Sequence, residues 1–82
     1  MTKRDQVREF LINLLEAKDD HGPVGDGDSL VVSGRMDSVD IIDTLAFLER
    51  TYNFEMEPAE FDQLHFDSVE NIVALVERYS RG

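Results

Sequence analysis

Met36-Asp37-Ser38-Val39-Asp40-Ile41-Ile42-Asp43-Thr44-Leu45 is the stretch on which the reading of this chain turns. A Gly-rich segment stops just before it, at Gly34, and an amphipathic run begins inside it. An acid–serine pair at such a junction is helix-start chemistry, because a short polar side chain accepts from first-turn N–H groups that have no partner within the helix. Asp37 or Ser38 is the N-cap on this reading, and the helix runs on to about Tyr52-Asn53. At roughly 100° per residue, Ile41, Ile42, Leu45, Leu48 and Tyr52 fall on one side. Val39, Asp40, Asp43, Phe47 and Arg50 fall on the other. A serine hydroxyl at the mouth of this helix lies at the positive end of its dipole, a favourable place for an anionic phosphodiester.

Outward from that helix, the chain divides simply. Val7, Phe10, Leu11, Leu14 and Leu15 recur at three- and four-residue steps and predict a first helix from about Thr2 to Lys18, with Thr2 and Asp5 as a capping pair. Asp19 to Ser33 reads as a loop punctuated by Gly22, Pro23, Gly25 and Gly27, with Leu30 expected to pin it onto the core. Pro58 opens a short third helix that includes Ala59-Glu60-Phe61. A fourth helix begins at Asp67 or Ser68 and reaches about Tyr79, with Val69, Ile72, Val73, Val76 and Tyr79 as its stripe. Beyond Leu30-Val31-Val32 no segment has strand composition. The expectation is an all-α protein: a small four-helix bundle of three main helices and a short third one, with a long loop between helices 1 and 2.

The chain has 82 residues and a formal charge of −10. That length predicts one domain over residues 1–82. With no cysteine it excludes a disulfide scaffold and a thiolate metal site. No apolar run approaches a membrane span and no secretory signal precedes the first helix, so a soluble, cytoplasmic monomer is expected. The charge is unevenly placed. Asp37, Asp40, Asp43, Glu49, Glu55, Glu57, Glu60, Asp62, Asp67 and Glu70 face a single base, Arg50, over that part of the sequence. Such a surface repels nucleic acid and anionic lipid and attracts basic protein patches.

Asp-Ser-Val occurs twice, at residues 37–39 and 67–69, but the flanks do not match, so it marks two helix starts rather than a repeat. Ser68 is read as a cap alone. Ser38 differs in context, following a glycine loop and opening a helix whose outer face mixes acids with Val39 and Phe47. A serine nucleophile needs an adjacent base and an orienting group. Neither His21 nor His65 has a suitable spacing to Ser38, so no catalytic residue is assigned. Asp26-Gly27-Asp28-Ser29-Leu30-Val31 begins like a calcium-binding loop. It fails with Leu30 at the fifth position, Val31 in place of the turn glycine and Asp37 at the twelfth, and no metal site is assigned.

Over nearly its whole length the chain resembles the acyl carrier protein family. The resemblance is carried by Gly34-Arg35-Met36-Asp37-Ser38-Val39, by the amphipathic run from Ile41 to Glu49 and by Tyr52-Asn53-Phe54. Members place Asp-Ser-(Leu, Met or Val) at the start of the second helix, and the serine carries 4′-phosphopantetheine attached from coenzyme A by a separate transferase. The resemblance implies Ser38 as the attachment point and Asp37 as a residue for recognition by the phosphopantetheinyl transferase. In the second half, Pro58-Ala59-Glu60-Phe61-Asp62 and Phe66-Asp67-Ser68-Val69-Glu70-Asn71-Ile72-Val73 resemble D-alanyl carrier proteins. Those also have two residues between the glycine and Asp-Ser, here Arg35 and Met36. Arg50 stands where the family's second helix is usually acidic, and Thr44 where an apolar contact residue is common. Both departures favour a specialised carrier over the housekeeping fatty-acid one.

A carrier so implied is not an enzyme. It holds acyl or aminoacyl cargo as a thioester and presents it to partners: an adenylating acyl or aminoacyl ligase, or a synthase or acyltransferase. Val39, Asp40, Asp43, Ala46 and Phe47 are the expected partner-binding residues, through weak, salt-sensitive contacts. The aliphatic lining of Ile41, Leu45, Leu48, Ile72 and Val76 suits either a plain core or a cargo shelter. The alternative from another class is an unmodified acidic helical adaptor that works only by protein–protein binding.

Overall fold

The computed structural model describes residues 2–79, and among them helices and 3-10 turns are the only regular structure. Helix α1 spans Lys3–Glu16, α2 Ser38–Tyr52 and α3 Val69–Tyr79. The expected short third helix is resolved into two 3-10 turns, Pro58–Glu60 and Gln63–Phe66. Neither is long enough to close an α-helical ladder, and Phe61 and Asp62 between them are extended.

Each helix starts where its sequence says it should. Thr2 and Asp5 form a reciprocal capping box at the head of α1. Val7, Leu11 and Leu15 follow at four-residue intervals and are fully buried. The helix ends as Asp19 enters the left-handed region at φ 65°, a conformation Asp tolerates better than most residues. Asp37 and Asp40 form the equivalent box on α2, which stops at left-handed Asn53. On α3, Ser68 Oγ accepts from the Asn71 N–H at 3.1 Å, and a loop carbonyl, that of Asp26, takes the Glu70 N–H at 3.0 Å. The two Asp-Ser-Val helix starts therefore differ in a way the tripeptide does not disclose: the aspartate caps one and the serine the other.

The core lies between α1, α2 and α3 and takes in Leu30 from the first loop and Phe66 from the second 3-10 turn. Leu30 is fully buried, as expected, and its backbone is bonded on both sides: its N–H donates to Asp67 O at 2.6 Å, and its carbonyl accepts from Met36 N–H at 2.7 Å. A leucine in such a position is worth about 2–5 kcal/mol against alanine. Gly34 turns the chain back toward α2 at φ 87°, where a Cβ would be strained. Phe10 stacks on Phe47 with centroids 4.1 Å apart and joins α1 to α2. Phe54 stacks on Tyr79 at 5.0 Å and joins the end of α2 to α3.

One expectation about α2 is corrected. Its buried stripe is Asp40, Ile41, Thr44 and Leu48, rotated from the one read off the sequence. Ile42, expected inside, is 62% exposed. The rotation is possible because two polar groups are satisfied internally. Thr44 Oγ1 donates to the carbonyl of Asp40 at 2.8 Å, leaving its methyl to the core, and the Asp40 carboxylate meets Lys18.

Candidate functional site

Ser38 is the first residue of α2 and is exposed. Its hydroxyl is spared from capping, because Asp37 Oδ1 takes the Asp40 N–H at 3.0 Å and Asp40 Oδ2 takes the Asp37 N–H at 3.0 Å. Ser68 is the internal comparison. It has the same two neighbours, but it is 6% exposed and its Oγ is committed to Asn71. The N–H bond from Asp40 holds the Asp37 carboxyl below the usual aspartate range against desolvation, and the nearby Lys18 charge adds a smaller lowering. Asp37 is exposed beside Ser38 and stays ionised.

The loop that delivers Ser38 is tied down from outside the sequence neighbourhood. The Asp67 carboxylate accepts from Ser29 Oγ, Val31 N–H and Val32 N–H, each at 2.9 Å. Burial opposes ionisation of this group. The bonds from Val32, Ser29 and Val31 outweigh it and hold the carboxyl below its ordinary value. Arg8 reaches the same loop at Val24 O (3.1 Å) and at Asp26. Lys18, just past α1, donates to Arg35 O at 2.9 Å and to the Asp40 carboxylate. The Asp40 hydrogen bond raises the lysine above its usual range, against desolvation.

The expected partner face is only partly as drawn. Val39, Asp43 and Ala46 are exposed on the outer side of α2. Asp40 is not among them: it is 6% exposed and bound by Lys18 and by the Asp37 N–H. Phe47 is half-buried because its ring is used against Phe10. Ile42 is exposed instead, so that two bare aliphatic side chains, Val39 and Ile42, lie on the first turns of α2 with Ser38. Its apolar character places Ile42 on the inner side of a helical wheel, but the wheel puts Asp40 outside and leaves Thr44 unassigned, and it is these two polar residues that turn inward.

His21 contacts Asp19 Oδ1 at 3.1 Å and lies near Glu16 on the surface, and His65 lies in the second 3-10 turn. Among the described residues no three His, Asp or Glu side chains converge at metal-ligand spacing. No helix among them is long and apolar enough to cross a membrane. Leu45, Met56, Pro58 and Phe61 line an open apolar cleft beside α2. Ile41, Leu48, Ile72 and Val76 are closed in the core.

No protein-family model and no curated protein matches the sequence. Among solved structures, the chain is similar to the solution NMR structure of a holo acyl carrier protein from Nitrosomonas europaea, with a TM-score of 0.72 and 19% identity over 95% of each chain. At that identity the likeness is one of fold: the chain has the acyl carrier protein fold, all-helical with the long first loop.

Proposed function

We propose that this chain is a carrier protein whose Ser38 Oγ is the attachment point for 4′-phosphopantetheine, taken from coenzyme A by a phosphopantetheinyl transferase. One observation carries the reading: Ser38 is an exposed alcohol at the start of α2 with its capping duty performed by Asp37, whereas Ser68, in the same tripeptide, is buried and spent on its helix. The residues present fit the group. A phosphodiester on Ser38 would lie at the positive end of α2, and nothing in the capping box would have to break to admit it. In the transfer, an Oγ–P bond forms, the P–O bond to the 3′,5′-ADP leaving group breaks, and the hydroxyl proton passes to a base of the transferase. When bound, the group supplies a thiol that holds an acyl or aminoacyl unit as a thioester on a flexible arm.

The chain's own residues then orient and present. Asp37, exposed and ionised, offers the transferase a charge next to the reacting oxygen. Val39, Ile42, Asp43 and Ala46 form a mixed apolar and acidic surface beside it, suited to a basic, apolar patch on a synthase, acyltransferase or adenylating ligase. The tether raises the concentration of cargo at a docked active site. A fluorescent coenzyme A analogue with a broad-specificity transferase tests the assignment. Wild type and Ser68→Ala are expected to label, the latter with stability lowered by about 1 kcal/mol, while Ser38→Ala stays dark. Labelled Ser38→Ala contradicts the site. Failure of wild type to label favours the unmodified acidic adaptor.

A further inference from the structure

We propose that Lys18 and Arg35 form a reciprocal clasp across the two ends of the loop before α2, and that this clasp is a positioning device for Ser38. The role in modification rests on the carrier reading above. The clasp itself stands on its geometry. Lys18, at the start of the loop, donates to the carbonyl of Arg35 at its end, 2.9 Å away. Arg35 returns the contact: Nε donates to Asp20 Oδ2 at 2.9 Å, Nη1 to Pro23 O at 2.8 Å and Nη2 to Gly22 O at 3.2 Å. Gly22 is fitted to this, since a Cβ there would stand 3.2 Å from Arg35 Nη2. The same lysine also binds Asp40, whose second task is to accept the Asp37 N–H. One ammonium thus grips the chain on both sides of Ser38, at residues 35 and 40, without touching it.

Physical reasons make this more than decoration. Asp40 is nearly out of water, and a carboxylate there without a counter-charge is strongly disfavoured. Lys18 is the cation that lets it stay in the capping box. The loop is otherwise rich in glycine, and closing it costs chain entropy that cross-ties between its ends offset. If the clasp opens, the first turn of α2 samples other positions, and a docking transferase finds the competent one only part of the time. That lowers apparent affinity rather than the rate of chemistry once docked.

The test compares Lys18→Met with wild type, Lys18→Arg and Thr2→Ala, a variant that weakens α1 at its far end. Two measurements are made: amide exchange at Asp37 and Asp40 by NMR, and steady-state kinetics with the chain as transferase substrate. In Lys18→Met both amides are expected to exchange roughly fivefold faster, and KM for the chain to rise roughly fivefold with kcat within about twofold. Lys18→Arg restores most of both, and Thr2→Ala changes neither. Arg35→Met gives the same pattern and serves if Lys18→Met does not fold. Unchanged exchange overturns the clasp. A fall in kcat at constant KM, or an equal KM rise in Thr2→Ala, overturns the positioning role. If wild type is not modified at all, the carrier reading fails with it, and the exchange measurement alone still decides whether the clasp exists.

Discussion

At the scale of single residues, the fate of two aspartates explains more than their shared neighbours suggest. Asp37 and Asp67 each precede a serine in Asp-Ser-Val, yet Asp37 caps its own helix and Asp67 reaches across to the loop. Nothing local in the sequence separates these roles, because the partners of Asp67 lie more than thirty residues away. Asp67→Ala removes the acceptor of the part-buried Val31 N–H and of the exposed Val32 N–H and is expected to lower stability by about 2 kcal/mol in urea unfolding. The sign of the pH dependence follows from the same contacts. Asp20, Asp37 and Asp67 all lie below the ordinary aspartate value of 3.8 in the folded state. For Asp20 the chief cause is the Arg35 hydrogen bond, for Asp37 the Asp40 N–H, and for Asp67 the loop bonds that overcome its burial. Their contribution is complete above 3.8 and is lost as pH falls through the lowered folded values. Lys18 is shifted up by Asp40, so its contribution is complete below 10.5 and is lost as pH rises through the raised folded value. Thermal melts should therefore decline at both extremes, with a shallower acid slope in Asp67→Ala. An equally steep slope in that variant contradicts the assignment.

At the scale of elements, α1 and α3 were readable because their apolar residues keep strict helical spacing and each opens on a side-chain cap three residues from its partner N–H. Helix α2 was readable in extent but not in orientation. A wheel ranks residues by intrinsic polarity, and Asp40 and Thr44 are polar residues that the tertiary structure satisfies inside. The correction changes which substitutions belong to the proposed docking face. Asp43→Lys, on the exposed side, is expected to leave stability within about 0.5 kcal/mol and to slow labelling by the transferase, more so at low salt than at high salt. Ile42→Ser should slow it with little salt dependence. Asp40→Ala behaves differently: it removes the partner of Lys18 and lowers the melting temperature. Labelling of Asp43→Lys at the wild-type rate at low salt counts against this face. The 3-10 turns were the least legible element. Pro58 signals a helix start, but Phe61 stands extended after it, packed at 5.9 Å from Phe66 rather than continuing a helix.

At the scale of the whole molecule, a charge of −10 is carried on a body with a radius of gyration of 11.8 Å. That radius is comparable to the Debye length of about 10 Å at 0.1 M salt. Self-repulsion is therefore screened as salt is added, and the melting temperature at neutral pH should rise between low and physiological ionic strength. A fall would mean that the Lys18 and Arg35 ion pairs outweigh the general repulsion. The all-helical class was available from composition and periodicity, and the proposed attachment point rests on one short motif and the resemblance it carries, since each is a local property. The long-range ties were not, because a lysine past a helix end and an arginine beside a glycine carry no mark of the carbonyls and carboxylates they will meet. Intact-mass measurement of the wild-type protein after incubation with coenzyme A and a broad-specificity phosphopantetheinyl transferase tests the central claim most directly. The account predicts a single added phosphopantetheine that fragmentation places on Ser38. A protein that keeps its original mass, or one modified at another residue, contradicts it.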